Sequence, residues 1–289
     1  MRKKKSLGTS ADTKDAKYSM ISFIVQGPVS KSTQDTVDSI LKHYPESQII
    51  LASTNGDCDL NNIDDIHLDG HDEEVNVNKQ ILSSQAVNKA RFNISCKIRN
   101  DIIFTSDKLL EFIEDELLSE EPTERIQSHK LFNRLVLSSN YFFCNPETSG
   151  FYYHPSDWIF LGLTSDLKKL FNISLQDPKE NVYYLEEEVV LPFGDVITGE
   201  RMKYRPEQYI FITALNEAGF DVSLDYEYQK PEDQLSAYRF IANNEYISDA
   251  GEGSGFHCSK YPHNVGEHPH LLNNRQCNLL RQAMLEEVK

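Results

Sequence analysis

Strand-like and helix-like patterns alternate through the first hundred residues of this 289-residue chain. Apolar runs rich in β-branched residues predict strands, and amphipathic segments predict helices between them. The predicted strands lie at 18–29, 48–53, 65–68 and 93–104, with helices at 34–43 and 76–90. This order is typical of a mainly parallel sheet flanked by helices. We therefore predict the α/β fold class, in which ligands bind beyond the carboxyl ends of the strands.

The last of these strands carries charges in a regular pattern. Lys97, Arg99 and Asp101 occupy alternate positions, so a strand would place them on one face or rim. Burying three charges is costly unless they meet a ligand, a metal or each other. A strand edge with solvated charges is the alternative. Polar and turn residues at other predicted strand ends favour a nucleotide site instead, namely Gln26, Gly27, Pro28 and Ser53.

Composition restricts the partners of the chain. A formal net charge of −16 argues against nucleic acid, because a polyanion is repelled where no basic stripe exists. No apolar run approaches the roughly 20 residues that span a bilayer. The five cysteines form no CxxC pair, which predicts reduced thiols in the cytoplasm.

Seven segments carry a resemblance to a known family. They are ISFIVQGPV at 21–29, QIILAST at 48–54, NVNKQILSS at 76–84, CKIRNDI at 96–102, SDWIFLGLTSDL at 156–167, YRPEQYIF at 204–211 and the region 243–261. In order and spacing they resemble the WavE-type lipopolysaccharide-synthesis family of bacterial glycosyltransferases.

The resemblance implies a single GT-A-like domain, the fold of nucleotide-diphospho-sugar transferases, over 19–289. A nucleotide-sugar-binding half would cover 19–105, and an acceptor-binding half with a closing helix would cover 106–289. Residues 1–18 would be a disordered arm or a remnant of cloning. The implied activity transfers a sugar from a nucleotide sugar to a glycan or lipid-linked glycan of lipopolysaccharide or capsule, in the cytoplasm or peripherally at the inner membrane. Alternatives are a sugar nucleotidyltransferase and a non-catalytic sugar-binding protein.

The same resemblance suggests a donor site and raises a question about metal. GT-A folds hold Mg²⁺ or Mn²⁺ with an Asp-x-Asp pair, but here Arg99 takes the first position and only Asp101 remains. Either Asp101 binds the cation, with His257 as a later ligand, or basic side chains neutralise the diphosphate. The predicted donor-binding residues are Gln26, Gly27, Pro28, Ser53, Asn78, Gln80, Lys97, Arg99, Asp101 and Lys260.

Two carboxylates are candidates for the catalytic base. Asp157 would deprotonate an acceptor hydroxyl while Trp158 stacks on the sugar ring. Alternatively, Ser156 or Asp157 caps a helix that begins near Trp158. Glu207 is the rival base, or else a first-turn acid favoured by the helix dipole. Gln208, next to it, is predicted to bind the acceptor.

Overall fold

The computed structural model describes residues 20–53, 59–68, 76–249, 254–260 and 270–287, so the predicted arm at 1–18 lies outside it. The strands within this part are β1 (Ile21–Gln26), β2 (Gln48–Ser53), β3 (Asp65–Leu68), β4 (Ile94–Arg99), β5 (Ile102–Phe104), β6 (Val136–Ser139), β7 (Ile159–Leu163), β8 (Val182–Val190), β9 (Val196–Met202), β10 (Glu245–Ser248) and β11 (Phe256–Cys258). The helices are α1 (Lys31–His43), α2 (Asn76–Ser84), α3 (Leu109–Phe112), α4 (Pro146–Ser149), α5 (Thr164–Phe171), α6 (Pro206–Glu217), α7 (Gln234–Asn244) and α8 (Asn274–Glu287).

Seven strands form the central sheet, in the order β3-β2-β1-β4-β7-β6-β10. Strands β1 to β4 pair in parallel, and β10 pairs in parallel with β6. Strand β7 is antiparallel to both of its neighbours. The predicted fold class, a mainly parallel α/β sheet flanked by helices, is confirmed. Strands β8 and β9 form a separate antiparallel pair. Within the described residues no helix is both long and apolar enough to cross a membrane.

Strand β7 corrects one prediction. The sequence pattern predicts a helix that starts near Trp158, but residues Ile159–Leu163 form a strand, and helix α5 begins only at Thr164. The run IFLGL lies between β4 and β6 and is almost entirely buried. A short, continuous apolar run fits a buried central strand as well as a helix, so periodicity does not separate them. Asp157 therefore caps no helix.

Hydrophobic packing covers both faces of the sheet. Successive side chains of a strand point to opposite faces, so Phe23 and Val25 of β1 share a buried cluster with Ile40 of α1. Ile24 belongs to the cluster on the other face, together with Ile81 of α2. Because β1 is buried along its whole length, polar groups reach solvent only past its end. Any ligand site on this sheet must lie at a strand end.

Strand β4 ends earlier than predicted. A turn at residues 100 and 101 interrupts the apolar run, and β5 leaves the central sheet to pair antiparallel with β11. The backbone nitrogen of Ser259 donates to the carbonyl of Asp101 at 2.8 Å. This pairing brings Lys260, which is distant in sequence, next to the end of β4. The predicted continuous strand from 93 to 104 is thus two strands with different partners.

Candidate functional site

A cleft of about 360 Å³ opens at the carboxyl ends of β1, β2 and β4. It collects most of the predicted donor-binding residues: Gln26, Gly27, Pro28, Ser53, Gln80, Arg99 and Lys260. The structure adds Ala52, Asn76, Lys79, Ser83, Asn100 and Asp157 to the lining. Parallel strands place their carboxyl ends at one edge, which is why residues from three strands meet here.

Asn100 ties together the ends of β1 and β4. Its backbone nitrogen donates to the carbonyl of Gln26 at 2.9 Å, and its side-chain nitrogen donates to Thr33 Oγ1 at 3.1 Å and to the carbonyl of Pro28. Gly27 has φ +134°, and a Cβ there would lie 2.6 Å from Asn100 Oδ1. Only glycine fits both the backbone conformation and the close approach. The floor of the cleft is therefore a rigid loop.

Gln26 holds the helix that forms one wall of the cleft. Its side-chain nitrogen donates to the carbonyl of Gln80 at 3.1 Å and to the hydroxyl of Ser83, both on α2. The side chain is nearly buried. Gln26 thus serves mainly to fix α2 against β1, and Lys79 on the same helix lines the cleft.

Arg99 and Asp101 form an ion pair at the end of β4. Arg99 Nε donates to Asp101 Oδ1 at 3.1 Å, and Nη2 donates to Oδ2 at 2.9 Å. Lys260 Nζ lies 3.5 Å from Oδ2 of the same carboxylate. Burial acts to raise the pKa of Asp101, but the hydrogen bonds and charges of Arg99 and Lys260 outweigh it, so this pKa lies below its ordinary value. The carboxylate is ionised and already neutralised.

Trp158 does not offer a face to a sugar, contrary to the prediction. It is 2% exposed and stacks on Tyr141 with ring centroids 4.5 Å apart and planes 13° apart. The Arg99 guanidinium lies 4.8 Å from the centre of the indole ring. Because β7 is a central strand between β4 and β6, the residue just before it is buried in the core. Trp158 supports Arg99 by a cation–π contact instead of binding an acceptor.

Asp157 reaches the cleft because β7 runs antiparallel. The start of β7 therefore lies at the same edge as the end of β4, and the backbone nitrogen of Arg99 donates to the carbonyl of Trp158 at 3.1 Å. Burial raises the pKa of Asp157, and the nearby Glu207 raises it further against the opposing charges of Lys97 and Arg99. Asp157 is thus a carboxyl group of raised pKa in the lining of the cleft.

Lys97 lies beneath Asp157 and outside the cleft lining. Its Nζ donates to the backbone carbonyl of Asp157, and its side chain is buried over Phe160, 5.8 Å from the ring centre. Burial lowers the pKa of Lys97 to about 8, although Asp157 and Glu207 oppose this. Lys97 was predicted to bind the donor, but in this structure its side chain lies behind the cleft and not at its surface. The residue supplies positive charge below the cleft floor.

Glu207 also lies behind the cleft, where His154 pairs with it. His154 Nε2 is 3.4 Å from Glu207 Oε2. Burial acts to raise the pKa of Glu207, but the hydrogen bond and charge of His154 hold that pKa below its ordinary value. Burial acts to lower the pKa of His154, yet Cys144 and Glu207 raise it well above its usual range. Glu207 also lines a small void of about 10 Å³, together with Lys97 and Asp157.

His154 was missed in the sequence analysis. It stands three residues before Asp157 in the string HPSD, and that proximity was the available signal. Glu207, its partner, comes from the first turn of α6, some fifty residues later in the chain. Only the packing of α6 against the sheet brings the two together.

Two more predicted residues have structural partners. The side-chain nitrogen of Asn78 donates to the carbonyl of Gln176 at 3.0 Å, and its oxygen accepts from the backbone nitrogen of Gln176 at 2.8 Å. Gln208 is fully buried. Its nitrogen donates to the carbonyls of Tyr152 and Glu227, both at 2.9 Å. Neither residue lines the cleft, because the polar groups of both satisfy buried backbone. The structure thus places both residues outside the cleft for which donor binding by Asn78 and acceptor binding by Gln208 were predicted.

The residues near Asp101 do not fit Mg²⁺ or Mn²⁺. In the part of the chain that the structure describes, no three His, Cys, Asp or Glu side chains are grouped closely enough to hold a metal ion. Both oxygens of Asp101 accept hydrogen bonds from Arg99. His257 lies on β11 opposite Ile103. These divalent cations prefer several oxygen ligands, whereas here the neighbours of the carboxylate are cations.

The fold and the cleft together define an α/β protein with basic side chains at its strand ends. The family model for WavE lipopolysaccharide synthesis matches residues 21–285, and the chain belongs to that family, as predicted. Among solved structures it is similar to S. aureus TarS, at 15% identity and a TM-score of 0.33, over 77% of this chain and 39% of that one. The chain thus spans well under half of TarS, and a likeness this low says nothing about activity. No curated protein matches the chain.

Proposed function

We propose that this protein is a GT-A-like glycosyltransferase, which moves a sugar from a nucleotide sugar onto a glycan of lipopolysaccharide or capsule in the cytoplasm. Membership of a lipopolysaccharide synthesis family supports the pathway. One observation carries the reaction type. Basic side chains and a half-buried carboxyl of raised pKa line one cleft at the strand ends. Transfer from a nucleotide diphosphate needs both a clamp for the leaving group and a base.

We propose Asp157, in preference to Glu207, as the catalytic base. Asp157 lines the cleft, whereas Glu207 lies behind it and is bound to His154. Environments that push the pKa values of two carboxyl groups in opposite directions commonly separate their roles. Asp157, whose pKa is raised, is the stronger base, and Glu207 with His154 forms the charged surroundings of Asp157.

We propose the following reaction for these residues. An acceptor hydroxyl approaches the sugar carbon bonded to the diphosphate, and its proton passes to the Asp157 carboxylate as the new carbon–oxygen bond forms. The bond to the diphosphate breaks, and the negative charge of the leaving group is stabilised by Arg99 and Lys260. Lys97 stabilises the ionised form of Asp157 between turnovers.

A sugar nucleotidyltransferase is less well supported. That chemistry requires a glycine-rich and basic loop after the first strand to hold a triphosphate. The segment 27–31 contains one glycine and one lysine, and Gly27 is packed against Asn100. The basic side chains of the cleft come instead from α2, β4 and the segment after β11.

The test begins with a thermal-shift screen of UDP-, GDP-, CDP- and ADP-sugars. The best ligand then serves as the substrate in a donor-hydrolysis assay. The release of free nucleotide measures the rate. Asp157→Asn should lower the rate by about 10²–10⁴-fold, as for other general bases, with donor Kd nearly unchanged. Because β7 and not a helix follows Trp158, the change removes no helix cap.

Glu207→Gln is the matched control for this test. It removes a buried carboxylate charge from the same group of side chains without altering the cleft lining. We expect a smaller loss of rate than for Asp157→Asn. Full activity of a folded Asp157→Asn protein would show that the base is wrongly assigned. If no nucleotide sugar binds or is hydrolysed, a non-catalytic role or another ligand class replaces the proposed function.

A further inference from the structure

We infer that the cleft binds the donor diphosphate through side-chain cations alone, without a divalent metal ion. The inference rests on the proposed function, since it concerns how the same cleft holds a nucleotide diphosphate. Two features support it, namely the ion pair at the end of β4 and the basic residues around that pair.

Asp101 is shielded from the cleft by Arg99. This carboxylate has 0% side-chain exposure and does not line the cleft. Arg99 lies between it and the cavity, with 30% of its side chain exposed. A metal ion bridging Asp101 to a diphosphate would have to displace the guanidinium. That displacement would break two hydrogen bonds and leave a cation without its partner, which is strongly unfavourable in a buried pair.

Trp158 and Asp101 hold the Arg99 guanidinium in place. One face of Arg99 lies against the Trp158 ring, and its Nε and Nη2 atoms bind Asp101. Among the described residues, no acceptor is bound to its Nη1 atom, and the group lines the cleft. The carboxylate and the indole therefore orient a planar donor toward the ligand, the arrangement that suits phosphate oxygens. Asp101 acts as a positioning residue for Arg99.

Several positive charges surround the space where the diphosphate would bind. Lys260 is 62% exposed on its side chain and lines the cleft from the β11 side, while Lys79 lines it from α2. Together with Arg99 these lysines bring three positive charges to the lining, and Lys97 beneath the cleft floor adds a fourth. The carboxylates of Asp101 and Asp157 cancel two of the four. The two that remain equal the two negative charges of a nucleotide-sugar diphosphate. The cleft therefore supplies the neutralisation that a metal ion provides elsewhere.

Isothermal titration calorimetry with UDP, GDP, CDP and ADP tests the inference. Each nucleotide is titrated into the full chain in excess EDTA and again in millimolar Mn²⁺. For the best binder we expect the two Kd values to differ by less than about threefold. Lys260→Ala should weaken binding about tenfold in both buffers, as expected for loss of a charge-assisted bond. Lys42→Ala, an exposed lysine in the last turn of α1, should have no effect.

Asp101→Asn separates a positioning role from metal ligation. If Asp101 acts through Arg99, the substitution should weaken binding by the same factor in EDTA and in Mn²⁺. A loss confined to Mn²⁺ would identify Asp101 as a metal ligand and overturn the inference. Binding that requires Mn²⁺ in the parent protein would overturn it too, while leaving the proposed function intact. Failure of every nucleotide to bind in both buffers would instead refute the proposed function, together with the inferred binding of the diphosphate by side-chain cations.

Discussion

Glu245 lies outside the cleft, in the core at the end of the sheet, and makes stability depend on pH. It stands on β10 with 0% exposure, and the Ser138 hydroxyl donates to its Oε2 at 2.7 Å. Its Oε1 has no hydrogen-bond partner among the described residues. Burial raises the pKa of Glu245 to about 8, and the bond from Ser138 opposes only part of this rise. Glu245 is therefore a neutral acid at pH 7 in the folded protein.

The magnitude of the effect follows from that pKa. The unfolded chain releases this proton near pH 4.5, and the folded protein holds it until about pH 8. Over this interval the folded state binds more protons, so the free energy of unfolding falls as pH rises. At about 1.36 kcal/mol per pH unit, the interval from 4.5 to about 8 corresponds to about 5 kcal/mol. Glu245→Gln stays neutral and should lose this dependence.

Urea unfolding at pH 5 and pH 9 measures the difference, with the fluorescence of the single, buried Trp158 as the signal. Between these pH values the variant should gain about 4 kcal/mol relative to the parent protein, because the effect accumulates at about 1.36 kcal/mol per pH unit from pH 5 to about pH 8. Glu187→Gln, an exposed position on β8, is the control and should follow the parent. An identical pH dependence in Glu245→Gln and in the parent would refute the reasoning.

Two further predictions concern the loops at the ends of β1 and β4. Arg99→Lys should weaken nucleoside diphosphate binding about tenfold in titration calorimetry, because one ammonium group cannot bind both Asp101 oxygens and a phosphate. Unchanged affinity would contradict the inferred binding of the diphosphate by Arg99. Gly27→Ala should cost about 1–3 kcal/mol in urea unfolding, since its φ is positive and its Cβ would clash with Asn100. Gly194→Ala, where φ is +93° and no atom lies within 4 Å, isolates the backbone strain, and an equal loss there would show that the clash contributes nothing.

Local patterns in the sequence were enough to predict much of the parallel part of the sheet. The predicted bounds of β2 and β3 agree with the structure, because buried strands between turns have a strong local signal. The same patterns located the strand ends, and most of the predicted donor-binding residues line the cleft. The positions share one cause: parallel strands necessarily bring their carboxyl ends to one edge. The location of Gly27 and Arg99 at that edge could therefore be predicted from the sequence, although their contacts could not.

The tertiary structure alone decided which charges meet and which side chains are buried. The antiparallel direction of β7 brings Asp157 into the cleft and draws Trp158 into the core, and neither outcome is encoded in the local run IFLGL. The pairing of β5 with β11 brings Lys260 to Asp101, and the packing of α6 brings Glu207 to His154. Periodicity reports the environment of one segment, whereas contacts between segments depend on strand order and direction across the whole sheet.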